Sequence, residues 1–154
     1  MVEKSTFANL HHIGVVVSDL DKAIQYYEEL GIGPFKSMKL PGTITEQTML
    51  GKNMDYQIRS ASVRLGPIEI ELIQPVENAL LQEEFLAKHG EGINHIAFKV
   101  ENFDKERAKL EKKGLKIVMY RNRSSGIKAA YFDATEVGGV IFEVFQPQTE
   151  PKSN

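Results

Sequence analysis

Cysteine is absent from this 154-residue chain. Its absence excludes disulfides, thiolate metal sites and cysteine nucleophiles, and it accords with a reducing compartment. Charge of one sign is lacking too: 19 basic residues against 21 acidic ones leave a net charge of -2. That balance gives no electrostatic claim on nucleic acid or an anionic membrane. No apolar run approaches the roughly 20 residues that span a bilayer, and the opening MVEKSTFANL lacks the apolar core of a signal peptide. Phosphate-loop, dinucleotide and nucleophile-elbow motifs are missing. The expectation is a soluble, cytoplasmic protein with no nucleic-acid or membrane partner. What remains is an ordinary globular balance, 42% hydrophobic and 26% charged, long enough to bury a sizeable core.

What is present is a repeat. HHIGVVVSDLDKAIQYYEELGI (11–32) aligns without a gap, at an offset of 83, on NHIAFKVENFDKERAKLEKKGL (94–115). Seven of the 22 positions are identical: His12/His95, Ile13/Ile96, Val17/Val100, Asp21/Asp104, Lys22/Lys105, Glu28/Glu111 and Gly31/Gly114. Each copy reads as a strand, a polar turn and an amphipathic helix closed by glycine. Downstream, IEIELIQP (68–75) matches VIFEVFQP (140–147), sharing Glu71/Glu143, Gln74/Gln146 and Pro75/Pro147. Both read as β-branched and aliphatic strands stopped by proline, with YQIRSASVRL (56–65) and IKAAYFDA (127–134) as hairpin partners. The chain therefore divides into a first module of about 9–75, a joining segment 76–92 with a helix near 79–88, and a second module of about 93–147, within one domain spanning 9–147. Residues 36–56, polar and holding Pro41, Gly42 and Gly51, read as a mobile loop. The tail TEPKSN reads as frayed.

Strand alternation assigns faces. Ile13, Val15 and Val17, like Ile96, Phe98 and Val100, form the bulky face that must pack on helices. His12 and His95 point the other way, beside Gly14 and Ala97, which leave open space. Glu71 and Glu143 also face away from the helices. Glu143 shares its face with Ile141 and Phe145, where an ionised carboxylate is costly unless paired or bound to a cation. Two imidazoles and two carboxylates suit one divalent ion, Zn²⁺, Co²⁺, Ni²⁺, Mn²⁺ or Fe²⁺, with positions left for substrate oxygens or water. Taken singly, a strand histidine is a hydrogen-bonded core residue and a strand glutamate a solvated one. The duplicated register favours the metal reading over that coincidence.

Other titratable residues read more simply. His11 has the opposite parity to His12 and reads as structural, and His89 suits a helix C-terminus. Tyr26 and Tyr27 read as packing residues, and Glu28, Glu29, Lys112 and Lys113 as solvated faces. Arg121, Arg123 and Lys128 read as a basic loop, with an anion grip for a substrate phosphate or carboxylate as the alternative.

The segments HHIGVVVSDLDKAIQYYEELGIGPF, LGPIEIELIQP, EFLAKHGEGINHIAFKV and YFDATEVGGVIFEVFQP resemble the vicinal oxygen chelate superfamily over about residues 9–147. That group includes glyoxalase I, methylmalonyl-CoA epimerases, extradiol dioxygenases and bleomycin-resistance proteins. The resemblance implies an α+β fold: two tandem βαβββ modules forming a cup-shaped mixed sheet with helices on the outer face. It also implies a metal held by His12, Glu71, His95 and Glu143, and a homodimer. HIGVVVSDLDKAIQYYEELG, GEGINHIAFKV and GGVIFEVFQP are most similar to methylmalonyl-CoA epimerases and their glyoxalase-like neighbours. The implied activity is a metal-dependent isomerisation or epimerisation of a small molecule such as an acyl-CoA. A proton is abstracted next to a carbonyl and the metal stabilises the enediolate, with Glu143 the candidate base and Glu71 the second. A glyoxalase I-type lactoylglutathione lyase is the alternative; a ring-cleaving dioxygenase or a non-catalytic binding protein ranks lower. Two departures stand out. Some epimerases carry an added carboxylate on the strand before the first glutamate, where this chain has Ser60 and Ser62, leaving Glu46 as a substitute. Glyoxalase I often has an arginine in the stretch matching GVVVSDL, which has none.

Overall fold

The computed structural model describes residues 4–148, so the tail TEPKSN lies outside the described residues. Ten strands form one mixed sheet in the order β2-β5-β6-β1-β7-β10-β9-β8-β3-β4. The central pair, β1 (Leu10–Val16) and β7 (Gly92–Lys99), is antiparallel, with Ile13 opposite Ile96. Each is flanked by a parallel partner: β6 (Ile68–Glu77) beside β1 and β10 (Ile141–Gln146) beside β7. Hairpin strands β5 (Gln57–Leu65) and β9 (Lys128–Phe132) follow, and β8 (Ile117–Arg123) continues beyond β9. The repeat thus becomes two half-sheets meeting at their first strands. This is the α+β cup implied by the resemblance. Among the described residues no helix is long and apolar enough to cross a membrane.

The helices sit where the sequence places them. α1 (Leu20–Glu29) starts at Asp19 and α3 (Phe103–Lys112) at Asn102, each cap side chain accepting from a backbone N–H three residues on. These caps are repeat equivalents. So are Gln74 and Gln146, whose Oε1 atoms accept from the backbone N–H of Leu20 (2.9 Å) and Phe103 (3.0 Å). The duplicated glutamines therefore tie each outer strand to the start of its helix. Gly31 and Gly114 end the helices at φ 87° and 88°, a left-handed conformation that costs other residues energy. α2 (Leu80–His89) joins the halves. Leu20 of α1 packs with Val17 and Leu72 of the sheet side; Phe103 and Leu110 of α3 pack with Phe132 and Val144. The face assignments for both half-sheets hold. Tyr27 joins the α1 core, whereas Tyr26 is 61% exposed and lies edge-on to Tyr27, ring centroids 5.8 Å apart.

Residues 36–56 are not a loop. They carry β2 (Lys36–Ser37), β3 (Ile44–Met49) and β4 (Lys52–Asn53). β2 pairs with β5 in its own half, but β3 crosses the cup and pairs with β8 of the other half, Thr48 opposite Tyr120. Met49 is fully buried there, beside Met119, Tyr131 and Ile141. The segment's polarity reflects a strand whose only apolar anchor contact is Met49 on a distant partner, a pairing that local pattern cannot reveal. β8 carries Arg121 and Arg123, so these lie on a strand rather than in a basic loop. Nor does Pro75 stop β6: the strand runs to Glu77 past a register irregularity opposite Gln57 and Ile58, the kind of bulge at which proline is tolerated.

Candidate metal centre and cavity

Sheet order decides what the four duplicated residues can do. His12 and His95 lie on the central strands, and Glu71 and Glu143 on the strands flanking them. All four are buried and converge. His12 Nε2 lies 3.1 Å from Glu143 Oε2, 3.2 Å from Glu71 Oε2 and 3.3 Å from His95 Nε2. His95 Nε2 lies 3.1 Å from Glu143 Oε2 and 3.7 Å from Glu71 Oε2. Donors held about 2.0–2.2 Å from one ion lie about 2.8–3.6 Å apart at octahedral or tetrahedral angles. Four of the five spacings fall in that range, and His95 Nε2–Glu71 Oε2 at 3.7 Å lies just above it. Hydrogen bonding alone serves the cluster poorly, because each Nε2 can carry one proton yet faces several acceptors. The four residues could hold a metal ion.

Electrostatics support the same conclusion. Burial by itself would lower the His12 pKa, but the carboxylates of Glu143 and Glu71 outweigh it and raise the value to about 10. Burial would raise Glu143, yet the two imidazoles hold its carboxyl well below the usual carboxylate range. Without an ion, a proton on His12 provides the compensating positive charge.

Small residues make room for the rings. A Cβ on Gly14 would lie 1.9 Å from His95 Cε1 and 2.2 Å from its Nδ1, so the His95 imidazole fills the space that glycine leaves. Tyr131 stacks edge-on against the other side of that ring, centroids 5.0 Å apart. His11 does not keep its expected structural role. A register shift in the β1–β7 pairing between Leu10 and His12 turns it toward the site, as bulges do. Its Nδ1 lies 2.9 Å from His12 Nδ1, and its ring packs on Phe145. His11 thus braces the His12 ring, which strict alternation conceals.

His12, Glu71 and Glu143 line a cavity of about 620 Å³, while His95 is fully buried. Tyr56, Ser60, Arg121, Arg123 and Phe145 line it as well. Of Ser60 and Ser62, the β5 positions considered for an added carboxylate, Ser60 lines the cavity. Glu46 does not replace it: it is on a separate depression with Asn53 and Asp55. Lys128 also stands apart, paired at 2.8 Å with Asp104 of α3.

Residues 11–131 match the Glyoxalase/Bleomycin resistance protein/Dioxygenase superfamily. The chain belongs to that superfamily. It is 28% identical over 142 residues to the uncharacterized protein YqjC of Bacillus subtilis, covering 90% of this chain and 92% of that one. With the mitochondrial methylmalonyl-CoA epimerase of Bos taurus it shares 25% identity over 141 residues, 89% of this chain and 73% of the bovine protein. Among solved structures, the methylmalonyl-CoA epimerase of Mycobacterium tuberculosis superposes with a TM-score of 0.69 at 26% identity, covering 97% and 94% of the two chains. The Streptomyces coelicolor epimerase in complex with 2-nitronate-propionyl-CoA shares the fold, with a TM-score of 0.68 at 22% identity over 93% and 99%.

Proposed function

We propose that this protein is a divalent-metal-dependent isomerase or epimerase that removes a proton next to a carbonyl of a small, oxygen-chelating substrate, an acyl-CoA of the methylmalonyl type foremost. The convergence of His12, Glu71, His95 and Glu143, three of them at the wall of one substrate-sized cavity and His95 buried beside them, carries this reading. In it, those four residues are the metal ligands. A bound divalent ion would supply Lewis acidity to the negative charge that develops on the carbonyl oxygen.

The chain's own groups divide the remaining work. Glu143 is ionised at neutral pH and is the base that takes the α-proton at Oε2. Glu71 is the second acid. Because the strand order sets β6 and β10 on opposite sides of the histidine pair, the two carboxylates address opposite faces of a planar intermediate. With an ion held by the four residues, either carboxylate would need an oxygen free of that ion to move the proton. Tyr131 and Phe145 exclude water from the inner wall, and burial keeps the Tyr131 phenol protonated. The test is methylmalonyl-CoA in D₂O with the protein loaded in turn with Zn²⁺, Co²⁺, Ni²⁺, Mn²⁺ and Fe²⁺. Deuterium at the α-carbon is expected by NMR; no uptake with any ion removes this substrate.

A lactoylglutathione-lyase reaction is the second reading. Among the described residues the carboxylates lining the cavity are Glu69, Glu71 and Glu143, and the pair that serves the first reading serves this one equally. Proton transfer between adjacent carbons can be served by the Glu71–Glu143 pair without an added acid on β5. Isomerisation of the hemithioacetal of methylglyoxal and glutathione would favour it.

A further inference from the structure

We propose that Arg121, with the charge of Arg123 beside it, forms a subsite for a carboxylate or phosphate group that the substrate carries away from its reacting carbon. The inference rests on the reading of this cavity as the substrate site, and it narrows the substrate to anions with a second, remote oxyanion.

The chain has five arginines. Three pair with carboxylates: Arg59 with Asp21, Arg64 with Glu69 and Arg107 with Glu111. The two that line the cavity, Arg121 and Arg123, have no carboxylate partner among the described residues. Arg123 spends its Nε and Nη2 donors on the carbonyl oxygens of Leu40, Pro41 and Gly42, so it clamps that segment and contributes charge. Arg121 spends only Nε, donated to Gln47 Oε1 at 3.0 Å. Buried Gln47 is itself fixed, its Nε2 donating to the carbonyls of Met54 (3.2 Å) and Tyr56 (3.3 Å). The Arg121 guanidinium carbon lies 4.9 Å from the centre of the Tyr56 ring. The head group is therefore oriented and stacked, and among the described residues its Nη donors meet no carboxylate or carbonyl, only the Tyr56 hydroxyl. A planar fork held this way matches an oxyanion in bidentate fashion.

Charge and distance set the ligand class. Glu71 and Glu143 would balance a divalent ion, and Glu69 is matched by Arg64, so Arg121 and Arg123 give the loaded cavity an excess of positive charge. Across the sheet, Phe145 pairs with Ala129 and Ala129 with Arg121. Two strand gaps put Arg121 about 10 Å from the strand that bears Glu143. A single small group cannot occupy both places, whereas a short chain with chelating oxygens at one end and an oxyanion at the other can.

The test uses the full chain free of metal, titrated with succinate and with inorganic phosphate, followed by the arginine Nε–Hε NMR signals and by calorimetry. The Arg121 signal, assigned by its loss in Arg121→Gln, is expected to shift saturably with at least one of the two anions. Arg121→Lys should bind that anion at least about 10-fold more weakly, and Arg121→Gln should give no measurable heat. Tighter succinate binding assigns the group to a carboxylate and tighter phosphate binding to a phosphate; both support the subsite. An unmoved Arg121 signal with both anions, or unchanged affinity in Arg121→Gln, overturns it. Since neither metal nor turnover enters this titration, its outcome is separable from that of the isotope exchange.

Discussion

Replacing Gly14 by alanine tests the metal centre through a residue that bears no donor. Its backbone lies in β1 and adopts no left-handed angle, so alanine is locally acceptable there and any effect must come from the added methyl. That methyl would meet His95 Cε1 at 1.9 Å, whereas ordinary contact begins near 3.4 Å. The ring must retreat by about 1.5 Å, against ligand distances that tolerate about 0.2 Å. Tyr131 closes the far side, so the retreat also disturbs packing. Overpacking of this kind costs about 1–3 kcal/mol, which lowers the Tm of a domain this size by about 3–10 °C. Metal affinity should fall more sharply, by at least about 100-fold. Calorimetric titration with Zn²⁺ measures the affinity, and thermal unfolding of the metal-free protein measures the packing cost. A Gly14→Ala protein with full Zn²⁺ affinity would refute the placement of His95 as a donor.

Further outcomes follow from the same geometry. His95→Ala should abolish stoichiometric metal binding while circular dichroism keeps the native strand and helix signal. Glu143→Gln should slow α-deuterium exchange by about 10²–10⁴-fold, and quench-flow with labelled substrate would measure it. In the metal-free protein His12 has a folded pKa of about 10 against 6.5 ordinarily. Its contribution to stability is therefore full below pH 6.5 and lost as pH rises through 10. Glu143, held below its ordinary 4.5, contributes above that pH and loses its contribution as pH falls further. Metal uptake at pH 8 must displace the His12 proton, so calorimetry in buffers of different ionisation enthalpy should register about one proton released per ion. Met49→Ala should destabilise the whole chain by about 2–5 kcal/mol in urea unfolding, since that side chain joins β3 to the opposite half.

The duplicated register was enough to read from sequence which four residues meet in the cluster that could hold an ion. Parity placed His12, His95, Glu71 and Glu143 away from the helices, and that is where they lie, because strand alternation and helix packing are local rules applied twice. What escaped was long-range or irregular. ITEQTM carries no strong strand signature, and only Met119 and Tyr120, seventy residues away in the chain, make it a strand. The β1 irregularity that turns His11 toward His12 has no mark in HHIGVVV. Arg121 and Arg123 followed the second helix as a basic cluster, and nothing nearby announces β8, whose partners are β9 and the crossing β3. Tyr131 was within reach of sequence reasoning: once Glu143 is placed, the β9–β10 hairpin sets Tyr131 directly opposite it.

The crossing of β3 and β4 has one more consequence. A centre made of two histidines and two glutamates from duplicated halves is, to the ion, nearly the same from left and right. A molecule arriving there would have no reason to prefer one heading over its reverse. By lending a hairpin to the opposite rim, the first half brings Gln47 and Tyr56 beneath Arg121 and leaves its own rim without a counterpart. The duplication supplies matching histidine and glutamate pairs, and the borrowed hairpin makes the two rims of the cavity unlike.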